Sequence, residues 1–155
     1  MFIRAGEHNI ISVEGSEQEV RVSDIFIYPN YNIKIFDNDI ALLKLKSPLK
    51  INKFVSLACL PFQNDNLPVN TVGTILGWGK RHALNVLSMN NVLYEANVPV
   101  ANINECKKVY NNAIVTSNMI CAGYKQGKVD TCKGDSGGPL LVNRNEKWFV
   151  YGITR

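Results

Sequence analysis

The chain has 155 residues, of which 46% are hydrophobic and 19% are charged, and its formal net charge is +4 at pH 7. This composition is typical of a globular domain, and no apolar run approaches the roughly 20 residues that a membrane-spanning helix needs. Lysine and arginine are scattered, without a basic run or interleaved aromatic residues, so neither membrane insertion nor nucleic-acid binding is expected. The first residues also lack the long apolar core of a secretory signal peptide.

Short apolar segments separated by polar turns indicate an all-β chain. Three of these segments are predicted to be strands, at 39–45, 71–77 and 92–100. The first is expected to be buried, because an unbroken apolar run follows the polar turn at 36–38. Between the second and third lies a polar loop around Lys80-Arg81-His82, which is expected to be solvated and exposed to cleavage.

One short helix is predicted just after residue 100. Asn102-Ile103-Asn104-Glu105 has the Asn-x-x-Glu pattern of a helix N-terminus, in which the asparagine side chain accepts a hydrogen bond from a free amide. This helix would carry Cys106. The chain has four cysteines, Cys59, Cys106, Cys121 and Cys132, which suggest two disulfides formed in an oxidising compartment. The residues alone leave three connectivities open.

The segment Gly134-Asp135-Ser136-Gly137-Gly138-Pro139 has the composition of a turn that presents a nucleophilic serine. A serine hydroxyl reacts well only when a base takes its proton and backbone donors hold the oxyanion. The glycines on both sides of Ser136 permit a sharp turn with exposed N–H groups. The pattern therefore predicts acyl transfer on peptide bonds, and the alternative is a glycine-rich surface turn with a chance serine.

Asp135 stands directly before this serine. Burial of an unpaired charge costs about 3–5 kcal/mol, so we expect a specific cation to meet its carboxylate.

Five segments together resemble the chymotrypsin/trypsin family of serine endopeptidases. They are Asn38-Asp39-Ile40-Ala41-Leu42-Leu43, Cys59-Leu60-Pro61, Gly77-Trp78-Gly79, Met119-Ile120-Cys121-Ala122-Gly123 and the serine segment. The resemblance covers essentially the whole chain and implies two antiparallel β-barrels. Residues 1–49 would supply part of the first barrel, 50–69 the connection, and 70–155 most of the second, so that the first barrel and the C-terminal end are expected to be incomplete.

The resemblance also implies catalytic roles. Ser136 would be the nucleophile, Asp39 would orient a histidine base, and the N–H groups of Gly134 and Ser136 would form the oxyanion hole. Taken alone, Asp39 is equally an ordinary turn aspartate. The family carries its histidine in an Ala-Ala-His-Cys segment upstream of the triad aspartate, which residues 1–155 do not contain, so the chain by itself is expected to be nearly inert. His8 lies in a segment that resembles a family surface loop and is assigned to that loop.

Two further aspartates gain roles from the resemblance. Asp130, six residues before Ser136, would lie at the base of the specificity pocket and select lysine or arginine side chains. Its alternative is a solvated turn aspartate. Asp135 would pair with the ammonium group that zymogen activation exposes.

Residues 7–17 resemble the calcium loop of trypsins. The carboxylates of Glu7 and Glu17 and the carbonyl groups of Asn9 and Ser12 are oxygen ligands that suit calcium, and Glu14 would add a water-mediated ligand. This calcium would be structural, and catalysis would need no cofactor. The alternative is an acidic solvated hairpin.

The family pattern pairs Cys106 with Cys121, which closes a loop of about 15 residues and would stabilise the fold by roughly 3 kcal/mol. Cys59 would link to a propeptide and Cys132 to the pocket wall, both outside residues 1–155. An extracellular, secreted protein is implied, whose partners are lysine- or arginine-containing protein substrates and protein protease inhibitors. The rival hypothesis is a non-catalytic serine protease homologue that acts as a binding or regulatory module.

Overall fold

The computed structural model describes residues 1–80, 90–110, 114–127 and 129–155. Within them the chain forms seven strands and one helix: β1 Phe2–Ala5, β2 Gln18–Ile27, β3 Ala41–Leu45, β4 Val72–Gly77, β5 Tyr94–Pro99, α1 Ile103–Tyr110, β6 Pro139–Arg144 and β7 Lys147–Ile153. The strands form two sheets in which every pair is antiparallel. The all-β prediction is therefore confirmed. Among the described residues no helix is long and apolar enough to cross a membrane.

Residues 1–57 form one compact unit. Its sheet has three strands, with β2 in the centre between β1 and β3. The side chain of Gln18, at the start of β2, donates to the Lys50 carbonyl and accepts from the Lys50 amide, both at 2.8 Å. These two bonds fix the segment after β3 beside the start of β2.

Burial is sparse in this unit. Among residues 1–57, Val55 is the one buried hydrophobic side chain, whereas Phe26 and Leu42 are 55% and 69% exposed. The strand predicted at 39–45 is present as β3, but the expected burial is wrong. Phe26 and Leu42 are partners in the β2–β3 ladder, and within the described part of the chain nothing covers them enough to bury them.

Residues 58–155 form the second compact unit. Its sheet has the order β5-β4-β6-β7, and the buried side chains of Ile75, Val98 and Leu140 pack together on β4, β5 and β6. The ladder between β4 and β6 pairs Ile75 with Leu140. The division at 57/58 is a property of the structure, and the barrel boundaries at 49/50 and 69/70 stay a prediction.

Two of the predicted strands lie in this sheet. Those at 71–77 and 92–100 are found as β4 and β5, one or two residues shorter at their ends. Strands β6 and β7 were not singled out from the sequence. They form a hairpin whose turn residues Asn145 and Glu146 both have left-handed backbone angles, φ 50° and 62°, the conformation that matches the twist of paired strands.

The predicted helix and disulfide are both confirmed. The side chain of Asn102 accepts a hydrogen bond from the Asn104 amide at 2.8 Å, so it caps the start of α1. Glu105 bonds to Lys108 at 2.8 Å and does not return to the cap. One turn into the helix, Cys106 is bonded to Cys121, which ties α1 to the segment before the serine turn.

A polar cluster anchors the segment after Cys59 to the β6–β7 hairpin. Asp65 accepts a hydrogen bond from the Tyr151 hydroxyl at 2.6 Å and forms an ion pair with the Arg144 guanidinium at 2.8 Å. These contacts lower the pKa of Asp65 from its usual 3.8, with the tyrosine hydrogen bond as the main cause. Burial and the same hydrogen bond raise the pKa of Tyr151 above 10.0.

This cluster makes the stability of the unit depend on pH. Because the native pKa of Asp65 lies below its unfolded value, its carboxylate stabilises the fold above pH about 4, and this stabilisation is lost as the pH falls through the native pKa. Asp65→Asn is expected to lower the urea midpoint of unfolding at pH 7. The difference from wild type should shrink below pH about 4, where wild-type Asp65 is itself neutral.

The measurement is urea unfolding between pH 3 and pH 7, monitored by tryptophan fluorescence. Asp24→Asn is the matched control, because Asp24 is exposed and its ion pair with Lys44 is long, at 3.9 Å, so its loss should have little effect. A destabilisation by Asp65→Asn that stays constant down to pH 3 would contradict this account.

Candidate active site

Ser136 lies in an exposed turn of the second unit, shortly before β6. Gly134 and Gly137 have φ angles of 103° and 87°, which residues with a side chain rarely adopt. A Cβ atom on Gly138 would come within 2.8 Å of the Leu76 carbonyl oxygen. The glycines around the serine are thus required by backbone conformation and by close packing, and the turn leaves the serine side chain exposed.

The end of β7 holds the far side of this turn. Gly137 donates its N–H to the Thr154 carbonyl at 2.8 Å, and Thr154 donates its own N–H to the Gly138 carbonyl at 2.7 Å. Gly138 also donates to the Asp135 carbonyl at 2.9 Å. Three hydrogen bonds therefore fix the backbone immediately after Ser136.

The amides of Gly134 and Ser136 are used differently. Within the described ranges, neither N–H group donates a hydrogen bond to another part of the chain. Unpaired backbone donors are rare where backbone is buried, and here both belong to exposed residues. Two donors on either side of Asp135 are therefore available to an oxygen atom from outside the chain.

The carboxylate of Asp135 is half-buried and is held by backbone donors on both oxygens. The Gly79 amide donates to Oδ1 at 2.8 Å, and the Cys132 amide donates to Oδ2 at 2.9 Å. A Cβ atom on Gly77 or on Gly79 would overlap this carboxylate. From the sequence we expected a cation. The two amide donors are partners that sequence reasoning missed, and they reduce the cost of burying the charge.

The β4–β6 register explains why these segments meet. Because Ile75 pairs with Leu140 in an antiparallel ladder, the end of β4 at Gly77 lies beside Gly138, the residue before β6. Gly77-Trp78-Gly79 was noted in the sequence only as a point of resemblance. The sequence signal for this contact is the pair of glycines at 77 and 79, whose missing side chains leave room for the Asp135 carboxylate.

A cleft of about 360 Å³ adjoins the serine turn. It is lined by Leu76, Gly77, Trp78, Leu93 and residues 134–139. Ser136 is on the wall of this cleft, together with Trp78 and the two leucines. The arrangement places an exposed serine and two amides that the described parts of the chain do not use beside an open cleft.

Asp130 is exposed and is not among the residues that line this cleft. Its carboxylate accepts a hydrogen bond from the Thr131 amide at 2.8 Å. Its role in specificity stays a prediction.

Asp39 lies two residues before β3, in the unit of residues 1–57. The preceding Asn38 has a left-handed φ of 56°, and its carbonyl accepts the Ile40 amide at 2.9 Å, so that a tight turn presents Asp39 at the mouth of the strand. The strand-mouth position agrees with the sequence reasoning, and the role in orienting an imidazole stays a prediction.

The acidic loop between β1 and β2 is closed by its own donors. Glu7 accepts from the Arg4 guanidinium at 3.1 Å and from the His8 amide at 3.0 Å. Glu14 accepts from His8 Nδ1 and from the Asn9 amide, each at 3.1 Å. His8 is thus a member of this loop with Glu14 as a partner.

Glu17 completes the loop. It accepts from the Glu14 amide at 2.6 Å and from the Gly15 amide at 2.8 Å, and these backbone hydrogen bonds lower its pKa below the usual 4.5. No group of three or more His, Cys, Asp or Glu residues in the described ranges is arranged to hold a metal ion. The carboxylates of the proposed ligands Glu7 and Glu17 are turned to separate protein donors, and the Asn9 carbonyl accepts the Ser12 amide at 3.0 Å. Calcium binding at this loop stays a prediction.

The two remaining cysteines, Cys59 and Cys132, are free thiols and half-buried. Cys59 pairs through its backbone with β7, donating to the Trp148 carbonyl at 2.8 Å and accepting the Val150 amide at 3.0 Å. Their disulfides to other segments stay predictions. Arg81 and His82 of the polar loop lie outside the described residues, and so does that part of the cleavage prediction.

The model of the Trypsin family matches residues 1–155. Trypsin-1 of Salmo salar is 39% identical over 141 residues, which are 91% of this chain and 56% of the trypsin. Ovochymase of Halocynthia roretzi is 38% identical over 157 residues, covering 99% of this chain and 10% of the relative. Vitamin K-dependent protein C of Oryctolagus cuniculus is 33% identical over 160 residues, covering 99% of this chain and 35% of the relative.

The chain thus spans little more than half the length of the trypsin and smaller shares of the other two relatives. The family match covers every residue, and the serine turn, the antiparallel sheets and the Cys106–Cys121 disulfide agree with it. The chain belongs to the trypsin family of serine endopeptidases.

Proposed function

We propose that the protein carrying this chain is a serine endopeptidase that hydrolyses peptide bonds after lysine or arginine through an acyl-enzyme. The observation that carries the proposal is the exposed Ser136 in a glycine turn beside the cleft, with the amides of Gly134 and Ser136 unused by the described parts of the chain. An acyl-transfer site needs this combination of a nucleophile and oxyanion donors.

The proposed reaction has two halves. The Ser136 oxygen attacks the carbonyl carbon of the scissile bond, its proton passes to a histidine base, and the two amides hold the negatively charged oxygen. The histidine then protonates the leaving amine, and water hydrolyses the resulting ester. Asp39 would orient the histidine, and no step uses a metal ion or cofactor.

The histidine would come from sequence upstream of residues 1–155. Triad members act as a unit, and loss of the base or the nucleophile lowers kcat by roughly 10⁶-fold in a comparable triad enzyme. Residues 1–155 alone are therefore proposed to be nearly inert.

Specificity is assigned to Asp130. A carboxylate that meets the substrate side chain away from bulk water favours a cationic partner and disfavours neutral ones. Protein substrates with exposed lysine or arginine, and protein inhibitors that present such a residue, are the proposed partners.

Activation is assigned to Asp135. An ammonium group released by cleavage of a zymogen would add a charged donor to the two amides that already hold this carboxylate. The free Cys59 thiol is the proposed attachment point of a propeptide, and an extracellular location is proposed because the family match and the Cys106–Cys121 disulfide suit an oxidising compartment.

The first prediction concerns the nucleophile. In recombinant protein made from the full native transcript and cleaved to its activated form, a fluorophosphonate probe is expected to modify Ser136, because only an activated serine reacts with it at an appreciable rate. Mass spectrometry of the peptide that contains Ser136 locates the adduct. Ser136→Ala should abolish labelling and lower kcat/KM for peptide hydrolysis by roughly 10⁶-fold.

A folded but unlabelled protein would overturn the proposed chemistry and would favour the binding or regulatory module. Labelling at a different serine would overturn the assignment of Ser136 and leave the reaction class in place.

The second prediction concerns Asp130. Asp130→Ser is expected to lower kcat/KM for arginine and lysine substrates by about 100-fold, since a substrate that covers position 130 on binding would leave its own cation unpaired, at a cost of about 3 kcal/mol. Activity on substrates with a neutral side chain should change by less than about tenfold. Asp24→Ser, at an exposed position in β2, is the control. Equal losses on cationic and neutral substrates would contradict the specificity role.

A further inference from the structure

Asn90 is the residue at which the described chain resumes after residue 80, and it bonds to the Gly77-Trp78-Gly79 segment twice. Its backbone N–H donates to the Trp78 carbonyl at 3.2 Å. Its side-chain Nδ2 donates to the next carbonyl, that of Gly79, at 2.5 Å. One half-buried residue therefore holds two successive carbonyl groups.

The opposite ends of these two peptide groups point to the serine turn. In a trans peptide the N–H and C=O bonds point in opposite directions. The peptide group whose carbonyl belongs to Trp78 has the Gly79 N–H at its other end, which donates to Asp135 Oδ1 at 2.8 Å. The next peptide group has the Lys80 N–H at its other end, which donates to the Lys133 carbonyl at 3.0 Å.

Asn90 thus fixes the orientation of both peptide groups that reach the segment before Ser136. Rotation of either group would remove a donor from Asp135 or Lys133. Hydrogen bonds in such a chain also polarise one another, so that the donation from Asn90 strengthens the N–H at the far end of each group. Glycine at position 79 has no Cβ to restrict rotation, which makes an external restraint more important.

We infer that Asn90 is a positioning residue that holds the Trp78–Gly79 and Gly79–Lys80 peptide groups and thereby fixes Asp135 and the nucleophile turn. The effect of Asn90 on catalysis rests on the proposed function. Its effect on the structure rests on the hydrogen bonds alone. Asn90 does not touch the reacting atoms, and its effect reaches Ser136 through Gly79 and Asp135.

Two variants of Asn90 separate its donor from its volume. Asn90→Ala removes the side chain, whereas Asn90→Asp keeps the shape and the backbone N–H but replaces the Nδ2 donor with an oxygen that faces the Gly79 carbonyl. Asn91→Ala is the matched control, because Asn91 is an adjacent, exposed asparagine. Amide hydrogen exchange and the Gly79 amide proton shift are measured by NMR, with the amides of helix α1 as an internal reference.

Both Asn90 variants are expected to speed exchange at Gly79 and Lys80 by about tenfold relative to α1 and to shift the Gly79 amide proton upfield, as its bond to Asp135 weakens. In protein made from the native transcript and cleaved to its activated form, they should lower the fluorophosphonate labelling rate of Ser136 and kcat by about tenfold, with KM unchanged. Asn91→Ala should change none of these quantities.

Unchanged exchange and proton shift at Gly79 in both Asn90 variants would overturn the inference, and so would a loss in Asn90→Ala that Asn90→Asp does not share. Failure of the proposed function has a different signature. A wild-type protein that fluorophosphonate does not label, together with faster Gly79 exchange in the variants, would keep the structural role of Asn90 and overturn the proposed chemistry.

Discussion

The enclosure of the Asp135 carboxylate is the constraint around which the second unit is organised. A half-buried charge needs donors, and here the amides of Gly79 and Cys132 supply one to each oxygen. The close approach of backbone to carboxylate is possible only because Gly77 and Gly79 have no side chains. The positions of Gly134 and Ser136, on either side of Asp135, follow from this enclosure.

The sheet beneath the site sets the relative positions of the two glycine segments. Strand β4 ends at Gly77 and β6 begins at Pro139, and their antiparallel register at Ile75 and Leu140 brings these ends together. The same two side chains pack with Val98 in the small buried core. The hydrophobic packing that stabilises the sheet therefore also places the serine turn beside the Gly79 amide, which donates to the Asp135 carboxylate.

The two units stabilise their carboxylates with different donors. In the second, backbone amides hold a carboxylate that is partly removed from water. In the first, the Glu7 side chain is only 7% exposed and accepts from the Arg4 guanidinium and the His8 amide, while Glu14 and Glu17 accept from donors of the loop between β1 and β2. Short local bonds of this kind order a loop without a large apolar core, which agrees with the sparse burial among residues 1–57.

Features that depend on neighbours in the chain could be predicted from the sequence. The Asn102 cap, the strands β4 and β5 and the glycine turn around Ser136 are local, because each follows from backbone preferences over a few residues. The Cys106–Cys121 pairing needed the family resemblance as well, since four cysteines permit three connectivities.

The sequence alone determined the all-β class, the short helix and the residues that form the glycine turn around Ser136. Only the tertiary structure decided which amides donate to Asp135 and that Asp65 contacts Tyr151 and Arg144. It also decided the hydrogen bond from Asn90 to Gly79 and the exposure of β3. The physical reason is that hydrogen-bond partners and burial depend on which segments meet in space. Gly79 and Asp135 are 56 residues apart, and Asp65 and Tyr151 are 86 residues apart, so no local pattern in the chain specifies these contacts.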